Sequence, residues 1–226
     1  MTFNDSDKMA DKDKDKGFKY IIEHMEEDDA GTHALPEYAH MLQLVGASSN
    51  VCFTSLSASS IPPLQEYLTQ KPEGSKAILS TEPILSFLGQ DAIPKTRVCL
   101  LDPRAEAAIS PDDGDKFDVF LYGGILGDDP PRDRTGELRA LGFEGRHLGP
   151  VQMTTDTALG VTKLVVEDGT PLDDIKFTDF PTITFNKYES IEMPFRYVQD
   201  AAGQPILPPG MREHLKADLD RTIDDF

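Results

Sequence analysis

Three short strings in this chain place turn-forming and acidic residues directly after apolar runs. They are Leu101-Asp102-Pro103, the loop Tyr122-Gly123-Gly124-Ile125-Leu126-Gly127-Asp128, and Leu148-Gly149-Pro150 leading to Gln152-Met153-Thr154-Thr155-Asp156-Thr157-Ala158. Any one of them alone reads as a turn. Three of them between residues 101 and 158, each closing an apolar run, read as the walls of a ligand site. Open α/β sheets bind ligands beyond the carboxyl ends of their strands. Glycine there lets a ligand approach the backbone closely, so that main-chain N–H and C=O groups meet its edges.

The glycine loop is not a phosphate cradle, because it fits neither G-x-x-x-x-G-K-[ST] nor G-x-G-x-x-G. Asp128 and Asp129 follow at once and would repel a pyrophosphate. A cationic or zwitterionic cofactor suits it better, and S-adenosylmethionine, with its sulfonium and amino groups, is such a molecule. No metal site is expected. His24 and His147 stand alone, and Cys52 and Cys99 sit in apolar runs without metal-ligand spacing, as buried reduced thiols would. The run Asp11-Lys12-Asp13-Lys14-Asp15-Lys16 lacks the glycine and glutamate placement of a calcium loop.

The elements that must position these strings follow from periodicity. Tyr20-Ile21-Ile22 predicts a first strand and Val51-Cys52-Phe53 a second. Leu35, Tyr38, Ala39, Leu42 and Val45 recur at helical spacing, with Gly46 as the stop. Residues 63–68 and 84–88 suit short helices, while the rest of 72–94 carries no clear period. Residues 98–101 and 117–122 are continuous apolar runs, as strands buried on both faces of a parallel sheet are. A helix is expected over 131–141, with Pro131 in its first turn, then a short strand at 146–148. Thr154 or Thr155 should cap the next helix, whose inward face carries Ala158, Val161 and Val165. Residues 181–185 and 193–198 read as extended, and a last helix begins near Pro209. Strands alternating with helices give an α/β class with a mostly parallel sheet flanked by helices.

Composition bounds the rest. The chain has 226 residues and a net charge of −18, from 40 acids against 22 bases. Residues 1–16 contribute only −1 of this and lack apolar content, so residues 1–17 are expected to form a disordered extension before a single domain over 18–226. The acidic balance opposes nucleic acid, whose binding needs Lys and Arg against phosphates. It favours a basic partner. No run of 18 apolar residues spans a membrane and the polar N-terminus is no signal peptide, so a cytoplasmic location is expected.

The three loops resemble those of the SPOUT (α/β-knot) methyltransferases. The third is similar to the "LG…LRTETA" segment of the RNA-modifying members, with Met153-Thr154 in place of Leu-Arg and Asp156 in place of Glu. A closer resemblance covers nearly all of residues 18–226. The strings Lys19-Tyr20-Ile21-Ile22-Glu23-His24-Met25-Glu26-Glu27, Val98 to Ala105, Gly123 to Arg134, Gln152 to Ala158, Glu192-Met193-Pro194-Phe195-Arg196-Tyr197-Val198 and Pro205-Ile206-Leu207-Pro208 resemble a SPOUT subfamily of protein-arginine methyltransferases. That resemblance implies a C-terminal trefoil knot, S-adenosylmethionine as cofactor, a monomer, and monomethylation of an arginine on a basic small-subunit ribosomal protein. On it, Leu101, Asp102, Pro103, Tyr122, Gly123, Gly124, Ile125, Gly127, Leu148, Gly149, Gln152, Met153, Thr154, Thr155 and Ala158 are the expected cofactor-binding residues.

A guanidinium arrives charged, with a pKa above about 12, and is a poor nucleophile. Carboxylates can grip its donors, orient one nitrogen and help take the departing proton. Glu192 and Asp128 are the first candidates for holding the arginine, with Asp156 as a third that could instead stabilise a helix N-terminus. Two other functions compete. An RNA methyltransferase is disfavoured by the charge and by the missing Arg before Thr155. An acidic binding module for a nascent basic protein would need no cofactor cavity at all.

Overall fold

The computed structural model describes residues 17–25, 35–70, 76–124 and 135–224. The expected disorder of residues 1–16, the acidic stretch 26–29, the start of the helix at Pro131, and residues 125–129 of the glycine loop lie outside these.

Six strands make one sheet: β1 (Lys19–His24), β2 (Asn50–Thr54), β3 (Lys76–Leu79), β4 (Val98–Leu101), β5 (Val119–Gly124) and β6 (Glu144–Arg146). Their order is β3-β2-β1-β5-β4-β6, and every pairing is parallel. The helices are α1 (Leu35–Val45), α2 (Ile61–Thr69), α3 (Ile84–Gln90), the single turn α4 (Asp113–Lys116), α5 (Thr135–Ala140), α6 (Thr155–Val166) and α7 (Met211–Asp224).

The continuous apolar runs are explained by burial on both faces of the sheet. Tyr20, Ile22, Phe53, Cys99, Phe120 and Tyr122 point to one side, where α1, α2 and α6 cover them. Ile21, Cys52, Val98, Leu100, Val119 and Leu121 point to the other, under α3 and α5. Burial pushes the Cys52 and Cys99 thiols up to about 12, so both stay protonated.

The expected α1 has its bounds at Leu35 and Val45, and Gly46 ends it in a left-handed conformation with its N–H on the Leu42 carbonyl. The expected capping residue of α6 is Thr154, although its hydroxyl bonds the Thr157 hydroxyl instead of a backbone N–H. Two strands sit off their expected positions. β5 begins at Val119 because the Phe117 N–H closes α4 on the Asp113 carbonyl. β6 lies two residues earlier than expected, and Gly149 turns the chain with φ +98°.

β3 falls within the stretch that shows no clear period, as a half-buried edge strand of four residues. After α6 the chain makes two small antiparallel ladders, β7 (Phe177–Asp179) with β10 (Arg196–Val198), and β8 (Thr182–Thr184) with β9 (Ser190–Glu192). The expected extended segments contain β8 and β10, while β7 and β9 carry no sequence signal of their own. No described helix is long and apolar enough to cross a membrane.

Candidate active site

A cavity of about 410 Å³ opens at the carboxyl ends of β4 and β5, where the three strings meet. Its size suits a small-molecule ligand, for which roughly 300–1,000 Å³ is usual. The end of β4 gives Leu101, Asp102, Pro103 and Arg104, and the end of β5 gives Tyr122 and Gly123. Thr135 comes from the start of α5, the whole run Leu148 to Met153 from the third loop, and Thr155 and Ala158 from the first turn of α6.

Of the expected cofactor residues, Leu101, Asp102, Pro103, Tyr122, Gly123, Leu148, Gly149, Gln152, Met153, Thr155 and Ala158 line this cavity. Ile125 and Gly127 lie outside the described residues. Gly124 and Thr154 are described and are not in the lining. A side chain on Gly124 would meet the Glu23 carbonyl oxygen at 2.9 Å and Ile22 Cγ2 at 3.0 Å, so this glycine makes room for strand β1 and not for a ligand. Gly123 faces the other way: a Cβ there would lie 3.5 Å from Thr135 Oγ1 and from Met25 Sδ, at ordinary contact distance.

Asp102 is the one acid of the described lining, and its carboxylate is already committed. Arg139 on α5 grips it through Nε and Nη2, the latter at 2.7 Å from Oδ1, and the Arg104 N–H donates to the same oxygen at 2.9 Å. Burial by itself would raise the Asp102 pKa, but the Arg139 fork and the Arg104 N–H outweigh it and hold the carboxyl below its usual range. The pair ties the first loop to the helix that follows the glycine loop. Burial likewise pushes the Tyr122 phenol well up, so it presents an uncharged ring to the cavity.

The proposed arginine-holding acids are placed as follows. Asp128 lies outside the described residues. Glu192 is exposed on β9, opposite Thr182, and is not in the lining. Asp156 is buried in the first turn of α6 and is not in the lining either, with Oδ2 2.7 Å from His40 Nδ1 on α1. His24 and His147 take structural partners: the Tyr38 hydroxyl lies 3.1 Å from His24 Nδ1, and His147 Nδ1 accepts the Gly149 N–H.

Sequence reasoning did not single out Arg104, Thr135, Pro150 or Val151 as cofactor residues. Pro150 stands within the third string itself, and Arg104 and Val151 adjoin the strings that were read, so extending each by one residue would have found them. Thr135 had no local signal, since only the tertiary approach of α5 brings it to Gly123.

The lining can hold a zwitterion with a flat ring. Leu101, Pro103, Leu148, Val151, Met153 and Ala158 give apolar walls. Main-chain groups of the third loop offer polar edges, and the N-terminus of α6 favours a carboxylate. S-adenosylmethionine carries each of these parts, so the residues fit it.

The comparisons with known proteins agree with this geometry. The model of a family described as "Protein arginine N-methyltransferase SFM1-like" matches residues 19–222. Protein arginine N-methyltransferase SFM1 of Saccharomyces cerevisiae is 45% identical over 217 residues, which is 92% of this chain and 99% of the yeast protein. The crystal structure of the yeast arginine methyltransferase SFM1 complexed with SAM matches with a TM-score of 0.79 and 42% identity, over 89% of this chain and 91% of that one. The complex of the yeast enzyme with SAH gives a TM-score of 0.75 at 43% identity, over 86% and 93% of the two chains. The dual-specific Trm10 of Thermococcus kodakaraensis shares the fold at 21% identity and a TM-score of 0.51, over 70% and 96%. The expected SPOUT-like arrangement of sheet and helices is therefore present, and this chain belongs to the SFM1-like family of protein arginine N-methyltransferases.

Proposed function

We propose that this chain uses S-adenosylmethionine to place a single methyl group on an arginine of a basic small-subunit ribosomal protein, acting as a cytoplasmic monomer with a knotted C-terminal part. The observation that carries the reading is the convergence of the three loops on one cavity at the ends of β4 and β5. When bound, S-adenosylmethionine supplies the methyl group as an electrophilic substituent of its sulfonium. The chain's own residues supply position and electrostatics. Apolar walls and third-loop main chain would hold the ring, the α6 N-terminus and Arg104 would meet the carboxylate, and the Asp102–Arg139 pair ties the first loop to α5. A guanidinium nitrogen that gains the methyl loses one proton, so the product keeps its single positive charge and needs an acceptor for that proton. The net charge of −18 favours a basic protein as the acceptor and opposes RNA.

Calorimetric titration of the full chain with S-adenosylmethionine tests this reading against that of an acidic binding module. One-site binding is expected. Absence of binding would remove the enzyme reading altogether.

A further inference from the structure

The described cavity lining contains one acid, Asp102, and Arg139 occupies it. The group that receives the acceptor guanidinium must therefore lie elsewhere. Beside the cavity, α6 packs against both α1 and β10. Asp156 sits at their junction, next in sequence to the cavity residue Thr155. Tyr197 follows Arg196, which bridges the cavity residue Met153. Asp156 is 1% exposed, and its two oxygens are unequal. Oδ2 is fixed by His40 Nδ1, whereas Oδ1 is buried with no hydrogen-bond partner among the described residues.

A buried carboxylate oxygen without a donor costs free energy, and folded chains seldom leave one so. Its surroundings add to the negative potential. Glu37 stands three residues before His40 on the same face of α1, and burial first, then the charges of Asp156 and Glu37, push the Tyr197 phenol up. Helix stabilisation by Asp156 would account for its charge near the α6 N-terminus, but not for a buried oxygen without a hydrogen-bond partner among the described residues. A ligand that brings N–H donors and positive charge accounts for both.

We infer that Asp156 anchors the acceptor-arginine subsite, its Oδ1 taking an N–H of the target guanidinium beside Glu37 and Tyr197. This rests on the arginine methyltransferase reading above and assigns its substrate contact. Arginine suits the niche because its planar fork of donors stays charged at any working pH. His40 is a positioning residue, since it holds the carboxylate by Oδ2 and leaves Oδ1 for the ligand. Because Asp156 is closed to solvent, an entering side chain must displace part of the niche's cover, so acceptor binding is coupled to a local shift.

The test uses the full chain, S-adenosylmethionine and isolated small-subunit ribosomal proteins as acceptor, with wild type, Asp156→Asn, His40→Asn and Tyr197→Phe compared. Asp156→Asn should keep cofactor affinity within about twofold and raise the acceptor KM roughly tenfold or more, the worth of a charge-assisted bond. His40→Asn should give a smaller rise of the same kind. The inference is overturned if Asp156→Asn methylates as wild type does. It is equally overturned if the variant loses cofactor affinity and thermal stability in step with activity, since the carboxylate then only supports α6. Should Asp156→Asn fail to fold, Tyr197→Phe decides: a raised acceptor KM at unchanged cofactor affinity supports the niche, and unchanged kinetics reject it. Wild type that binds the cofactor but labels no arginine would instead overturn the underlying functional reading.

Discussion

A single carboxylate shows how burial and charge divide the work in the cavity wall. Asp102 was legible in the sequence as a strand-end acid before proline, and it does line the site. Its partner was not legible, because Arg139 lies 37 residues away and reaches it only through the placement of α5. Replacing Asp102 with Asn removes the charge from a fork that joins the first loop to α5, and should cost about 1–3 kcal/mol of stability at neutral pH. The pH dependence has a fixed sign. The Asp102 carboxyl is held low in the folded chain, so its contribution is complete above the unfolded value of about 3.9 and is lost as the pH falls through the lower folded value. Urea unfolding of both proteins between neutral pH and pH 3 should show the stability gap closing below about pH 4. A gap that widened on acidification would contradict the ion pair. Glu192 illustrates the limit of reading residues singly: its string carried a family resemblance, yet the carboxylate stands exposed on a short ladder outside the lining.

At the scale of elements, the sheet was legible wherever a strand is buried on both faces. Continuous apolar runs marked β4 and β5, and helical spacing marked α1 to the residue. The half-buried edge strand β3 and the three-residue ladders carried little pattern, since so few residues meet a core there. The glycine pair at the end of β5 sharpens the point. Pleating sends Gly123 and Gly124 to opposite faces, so one serves the cavity and the other serves packing. Gly124→Ala should destabilise the fold by about 1–3 kcal/mol through overpacking against the β1 backbone. Gly123→Ala should leave stability nearly unchanged and weaken S-adenosylmethionine binding, because the added methyl stands in the lining. Denaturation and calorimetry on the two variants separate these outcomes. Equal losses of stability would refute the division.

At the scale of the whole molecule, the parallel sheet gathers three loops from across 58 residues at one edge and leaves a strongly acidic chain around them. The gathering was foreseeable from the shared rule that ligands bind at the carboxyl ends of strands. The charge was read directly, and it favours the proposed basic protein acceptor over RNA. A net charge of −18 suits the proposed basic acceptor and holds polyphosphate off. The most direct test is to incubate the purified chain with methyl-labelled S-adenosylmethionine and small ribosomal subunits lacking this modification, then separate protein from RNA and hydrolyse each. The label should appear as monomethylarginine in one basic small-subunit protein, with RNA unlabelled. Label in the RNA fraction, or in no fraction despite bound cofactor, would contradict the account.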